Sequence, residues 1–241
     1  MPDTLLERLL MEKQFRLHGG IYHKLQIDMA YNSNRIEGSS LSHEQTRFIW
    51  ETQTIAVDNS VTFVDDIVET LNHFQCLDYL LETIDESLSE NLIKEFHRIL
   101  KTSTMWSRVS YNIPGGYKVL PNQVGGMETT EPEDVEYAME TLLFNYNWGH
   151  KKDLRDILDF HVRFEQIHPF QDGNGRVGRL ILFREALRNH IAPFIIVDSK
   201  KIYYSKGIAA WHNDPTLLME VVRSAQGAML ETMRYFRIQS E

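Results

Sequence analysis

Residues 168–179 read HPFQDGNGRVGR, and the side chains gathered there are those a group-transfer reaction needs. His168 titrates near neutrality, so it can take a proton as a general base. Asp172 is a hard carboxylate of the kind that holds Mg2+ together with phosphate oxygens. Gly173 and Gly175 flank Asn174. Glycine permits backbone angles closed to other residues and leaves no Cβ between backbone N–H groups and a ligand. Arg176 and Arg179 stand three apart, on one face of the first turn of a helix starting here, where guanidinium groups grip phosphate oxygens. Pro169 stops a preceding helix near Ile167. A following helix from about Asn174 or Gly175 points its free N–H groups and positive end into the turn. Two cations at that positive end need an anion to justify them. Base, metal ligand, anion hole and cations together describe phosphoryl or nucleotidyl transfer.

The elements that must position this stretch are helical. Asp3 or Thr4 caps a first helix carrying Leu5, Leu6, Leu9 and Leu10, which ends at Gly19-Gly20. A second runs from about Ile21 to Ile36 or Glu37 and is stopped by Gly38, and Ser42 with Gln45 forms a capping box for a third. Residues 65–84 place Ile67, Val68, Leu71, Phe74, Leu77, Leu80, Leu81 and Ile84 on one stripe. Ser87 with Glu90 marks the next start. Residues 111–132 break the pattern with two Gly-Gly pairs and three prolines, the texture of a loop or small hairpin. Helices resume at 133–146, 153–167, about 174–189, 199–212 and 214–237.

The chain has 241 residues, 42% apolar and 24% charged, which is ordinary for a globular protein. Its net charge of −9 argues against a chain-wide nucleic-acid footprint. Cys76 is the only cysteine, so there is no intrachain disulfide and no Cys-rich zinc site. The opening MPDTLLERLLMEKQF carries acids and is not a signal peptide. No run approaches the roughly 18 apolar residues of a membrane span. A cytoplasmic protein with neither nucleic acid nor membrane as partner is expected. No repeat or linker interrupts the chain, so 1–241 reads as a single all-α domain with one β excursion.

The run at 168–179 resembles the signature of the Fic family, His-x-Phe-x-Asp/Glu-Gly-Asn-Gly-Arg-x-x-Arg, and agrees with it at all eight defined positions. The similarity reaches further. Residues from about 65 to 205 look like the helical Fic core, and 111–132 sits where Fic proteins carry a β-hairpin flap. The resemblance implies a Fic-type helical bundle and a nucleotidyltransferase that moves AMP from ATP to a Ser, Thr or Tyr hydroxyl of a target protein, with Mg2+ as cofactor. It implies that His168 deprotonates the hydroxyl and that Phe170 anchors the loop in the core. Asp172 would hold Mg2+ on the α- and β-phosphates, and Gly173, Asn174 and Gly175 would form the anion hole. Arg176 would contact the phosphates and Arg179 the γ-phosphate.

A second motif lies upstream in NSNRIEGSS, residues 32–40. On residue type alone, Glu37 is an acid at a helix end before a capping glycine. Ser33, Glu37 and Gly38 also fit the pattern Ser/Thr-x-x-x-Glu-Gly/Asn, which in Fic proteins marks an inhibitory helix, here about 21–38. Glu37 would pair with Arg179 and keep ATP from binding productively, making the enzyme self-inhibited. Two other functions stay open: a Glu37-dependent de-AMPylase, and a nucleotide-binding module without activity. Donors other than ATP also occur in the family. The flap, 117–126, would accept an extended segment of the target protein along its edge; without the family it reads equally as a surface loop. Tyr203 and Tyr204 sit where Fic proteins often place an aromatic against adenine, Tyr204 being the ATP contact expected here; packing in the core is the other reading. His161 reads as a core histidine. Fic proteins often dimerise, and a homodimer stays open.

Overall fold

Ten α-helices carry the described residues, and two short strands supply the only sheet among them. The computed structural model describes residues 4–56, 61–124, 127–149 and 151–239. In chain order the elements are α1 (Leu5–Phe15), α2 (Ile21–Ile36), α3 (His43–Thr52), α4 (Val64–Glu82), α5 (Glu90–Lys101), β1 (Gln123–Val124), β2 (Met127–Glu128), α6 (Val135–Asn147), α7 (Leu154–Ile167), α8 (Asn174–Arg188), α9 (Lys201–Ala210) and α10 (Thr216–Tyr235). No helix of the described residues is long and apolar enough to cross a membrane.

Local chemistry sets most boundaries. Thr4 caps α1 with Glu7 answering, Ser42 caps α3 with Gln45, and Asp153 caps α7 with Asp156, each a reciprocal capping box. Asp3, the other candidate cap, lies outside the described residues. Two expectations are corrected. The first helix stops at Phe15, where Arg16 adopts a left-handed conformation, rather than at Gly19-Gly20. Ser89, not Ser87, caps α5 by accepting from the Leu92 N–H. Leu88 is 1% exposed, and the chain enters the core there before the helix begins.

The helix α8 is buried at every residue from Arg176 to Leu187. Val177, Leu180, Ile181, Phe183 and Leu187 join the main core with α1, α2 and α4–α7. Leu182 and Ala186 join a second cluster with Ile157, Leu158 and Val162 of α7 and Leu218 and Val222 of α10. A helix buried all round cannot rock, so the residues at its start are held in fixed places.

The helix α2 crosses this core and is tied at both ends. At its start, Gly20 offers no side-chain cap; the cap comes from α1. The fully buried Glu12 accepts from the Tyr22 N–H at 2.9 Å and from Arg8 Nε at 2.6 Å. A Cβ on Gly20 would stand 2.2 Å from Glu12 Oε2, which explains the glycine. Further along, Gln26 Nε2 donates to Tyr22 Oη and the Phe74 carbonyl, and Asn34 Nδ2 donates to Thr70 Oγ1 of α4. At its end, Gly38 at φ +104° turns the chain away. Glu12→Ala is expected to cost about 2–3 kcal/mol in urea unfolding, because it strands the first N–H groups of α2. An unchanged midpoint would mean that α2 is not held from its start.

Candidate active site

The turn at 168–175 joins α7 to α8. His168 closes α7 in the left-handed region, φ 51° and ψ 61°. Its Nδ1 lies 3.3 Å from the Glu165 carbonyl. In neutral imidazole that nitrogen therefore carries the proton, and Nε2 is left as the basic atom. Burial, reinforced by Lys118, holds His168 below the ordinary histidine value. The Glu165 carboxyl lies 3.9 Å from the same Nδ1 and burial pushes it up to about 8, so it is protonated at neutral pH.

Phe170 is fully buried and stacks on His97 of α5, with ring centroids 3.9 Å apart and 7° between planes. Gly115 N–H donates to His97 Nδ1 at 2.9 Å, and His97 Nε2 reaches the Asp172 carbonyl at 3.0 Å. Nε2 is thus the protonated nitrogen, and burial, at about 3, keeps the ring neutral. Asn174 clasps the turn by accepting from the Phe170 N–H and donating to the Phe170 carbonyl, both at 2.8 Å. Gly173, at φ +86°, begins α8 without a side-chain cap. The first N–H groups of α8 therefore face the turn free of any capping side chain.

Asp172 stands at the lip with 44% of its side chain exposed. Its Oδ2 accepts from Lys101 Nζ at 2.6 Å and from Arg176 Nη2 at 3.2 Å. Burial works to raise this carboxyl, but Arg176 and Lys101 outweigh it and hold it well below the usual carboxylate range. Glu69 of α4 completes the group by pairing with both Lys101 and Arg176. Arg176 therefore spends its two terminal nitrogens on carboxylates, where a contact with phosphates was expected.

Arg179 points the other way, into α2. Its Nε donates to Ser33 Oγ at 3.0 Å, and its Nη2 donates to the Ser33 carbonyl at 3.0 Å and to Glu37 Oε1 at 2.6 Å. A Cβ on Gly175 would come within 2.3 Å of Glu37 Oε1. The Glu37 carboxylate thus lies directly over the first turn of α8, on the anion-binding end. Burial alone would raise its pKa; Arg179 and then Arg176 reverse this, and it sits below the ordinary carboxylate value.

The structure brings together His168, Asp172, Gly173, Asn174, Gly175, Arg176, Arg179, Ser33 and Glu37. Tyr204 reaches the same group from its buried side: the side chain is 3% exposed in the second core cluster, with its hydroxyl 2.5 Å from Nε2 of the buried His161 and beside the Arg179 guanidinium. Tyr203 is 53% exposed. His161 is a core residue, as expected. The flap strands are β1 and β2, paired Gln123 with Glu128 and Val124 with Met127. They lie later than the expected 117–126, of which Gly125 and Gly126 fall outside the described residues. Sequence reasoning missed Glu69, His97 and Lys101. The one available signal was a lysine and a histidine standing on the buried stripe of α5 with Phe96 and Leu100.

Residues 87–185 match the sequence profile described as the Fic/DOC family. These residues are a Fic/DOC-family domain. Protein adenylyltransferase fic-1 of Caenorhabditis elegans is 27% identical over 220 residues, 84% of this chain and 38% of that protein. Protein adenylyltransferase Fic of Nematostella vectensis is 30% identical over 194 residues, 76% of this chain and 43% of that protein. The chain thus spans about two-fifths of the length of these curated relatives. A Fic-domain signaling protein from Bacteroides thetaiotaomicron shares the fold at a TM-score of 0.74 and 21% identity, over 95% of each chain.

Phe170, though not a chemical group, holds the Fic turn through its ring and its backbone. Phe170→Ala is expected to cost about 3–5 kcal/mol in chemical denaturation. A loss below about 1 kcal/mol would show that the stack on His97 is not what seats the turn.

Proposed function

We propose that this chain transfers AMP from ATP to a serine, threonine or tyrosine hydroxyl of a protein, and that Glu37 holds it in a low-activity state. The observation that carries this reading is the seat of the Glu37 carboxylate, on Arg179 and over the first turn of α8. An acid fills the place, and takes the cation, that a phosphate would use.

The chemistry follows from the positions of the groups. The acceptor hydroxyl oxygen attacks the α-phosphorus, the bond from that phosphorus to the bridging oxygen of pyrophosphate breaks, and the hydroxyl proton passes to His168 Nε2. His168 suits this because burial keeps it neutral and its Nδ1 is fixed on the Glu165 carbonyl. The free N–H groups at the start of α8 and Arg179 would bind the phosphates, and catalysis would rest mainly on positioning and charge stabilisation. Asp172 fits Mg2+: it is ionised at neutral pH, partly exposed, and placed where one carboxylate and phosphate oxygens would share the ion. When bound there, Mg2+ would neutralise phosphate charge. Arg176, paired with Glu69 and Asp172, would orient Asp172 rather than grip ATP.

Glu37 restrains the reaction by competition. One guanidinium does not serve a carboxylate and a γ-phosphate together, and ATP bound without Arg179 sits with its α-phosphorus out of line. A displacement of about 1 Å can cost on the order of a hundredfold in rate. Glu37→Gly should therefore raise incorporation of labelled AMP into protein by about tenfold to a hundredfold, seen by mass spectrometry as an AMP adduct. His168→Ala in that background should lower it by a factor of about 100 or more. An unchanged rate in both variants would refute the assignment, and AMP release from a modified protein that depends on Glu37 would reverse the direction of the reaction.

The pH profile gives a separate check. The base must be neutral to act, and the histidine value here is lowered from 6.5. The acid limb of transfer should therefore fall below pH 6.5, because protonation of His168 sets in only there. A limb at or above that value would remove His168 as the base.

A further inference from the structure

Lys118 is 3% exposed, and every acceptor its ammonium meets is neutral. Among the described residues, no carboxylate is in ion-pair contact with it. Glu131 acts on the ammonium only from beyond contact distance, and an ammonium buried with no carboxylate against it is costly, so an apolar side chain of the same length would normally be the more stable choice. The three acceptors come from three separate places. Asn122 Oδ1, at 2.8 Å, lies just before β1; Thr129 Oγ1, at 2.6 Å, lies just after β2; the Ile167 carbonyl, at 3.3 Å, belongs to the last residue of α7.

One charged group thus fastens both ends of the hairpin to the residue before His168. The last carbonyls of a helix have no partner within it and carry its negative end, so a cation is favoured there. Neighbouring bonds run along the same seam. The Lys118 N–H donates to the Pro169 carbonyl at 2.8 Å, Asn122 Nδ2 donates to the Phe170 carbonyl at 3.0 Å, and the Leu120 N–H donates to Gln171 Oε1 at 3.2 Å. Ile167 at the end of α7, and Pro169 and Phe170 in the turn, thereby each contribute one carbonyl to the segment that leads into the flap. The strands themselves are only two residues each, too short to fix their own position.

We infer that Lys118 is the anchor that seats the hairpin on the catalytic turn, and so sets where an acceptor hydroxyl laid along the flap meets His168. It is a positioning residue. The part about the acceptor rests on the proposed transfer reaction; the seating of the hairpin does not.

The two parts are tested separately on the full chain. Hydrogen exchange followed by mass spectrometry would compare wild type, Lys118→Met and Lys118→Arg. Lys118→Met should speed exchange of the segments 117–124, 127–131 and 165–172 by about tenfold or more, since it removes charge-assisted hydrogen bonds. Segments of α1 to α4 should be unchanged, and Lys118→Arg, which keeps the charge and the donors, should stay nearer to wild type. Unchanged exchange in those segments, or equal loosening of the whole chain, would overturn the anchor. If Lys118→Met does not fold, Thr129→Val removes one acceptor at the edge and should give the same local loosening in smaller measure; exchange as in wild type would overturn the anchor again. With Glu37→Gly also present, Lys118→Met should lower AMP transfer by about tenfold while the Kd for ATP stays within about twofold. Equal loss of ATP binding would assign Lys118 to the nucleotide instead. If Glu37→Gly alone transfers no AMP, the transfer reading fails, and the exchange result still decides the anchor.

Discussion

The ion pair between Glu37 and Arg179 joins two helix ends that are each unfavourable alone. The helix α2 finishes on an acid, next to its own negative end, and α8 opens with two arginines at its positive end. Brought together over 142 residues of sequence, each end supplies the charge the other lacks. On the proposed reading this contact is the site's resting state, and the rest of the fold holds the two helix ends at the separation it needs. Burial on all sides fixes α8. The Glu12 cap, the Gln26 bonds and the Asn34–Thr70 contact fix α2.

The same pair is a poor source of stability, which suits the control proposed for it. A largely buried guanidinium loses hydration, and an attached carboxylate that is one-third exposed returns only part of that. Three acceptors at α2 hold Arg179, two of them from Ser33, so the displacement of Glu37 proposed above would leave it oriented. A triphosphate brings several charged oxygens to the free N–H groups of α8, whereas Glu37 brings one carboxylate. A few kcal/mol of competing contacts, ~2–5 for a close charge pair, would separate the proposed inhibited and ATP-bound states. Control by competition needs this near balance, which a wholly buried pair with no exchange route would not offer.

Much of this was legible in the residues because the signals are local. The caps at Thr4 and Ser42 lie within four residues of their partners, and the turn at 168–179 is continuous in sequence. The pairing of Glu37 with Arg179 was legible only through the family pattern. Contacts across the fold were not legible at all: Lys101 meets Asp172 across 71 residues and Arg176 meets Glu69 across 107. Tyr204 shows the same limit. A Cβ on Gly207 would come within 2.8 Å of the Leu218 backbone, so α9 lies close against α10 at that point. The rotation this forces turns Tyr204 inward and leaves Tyr203 outside. Nothing in the order KIYYSKG distinguishes the two tyrosines. The hairpin lies within the expected 111–132, but the bonds that tie it to the turn, from Lys118 and Asn122, join residues far apart in sequence.

The most direct test of the competition is the ratio of ATP to ADP affinity, measured by calorimetry with Mg2+ in wild type and in Glu37→Gly. The two nucleotides differ by the γ-phosphate, the group from which, on this account, Glu37 withholds Arg179. The account predicts nearly equal affinities in wild type and a preference for ATP of about tenfold or more once Glu37 is gone, the size of one charge-assisted contact. The same ATP-to-ADP ratio in both proteins would contradict it, because Glu37 would then not stand between Arg179 and the phosphate.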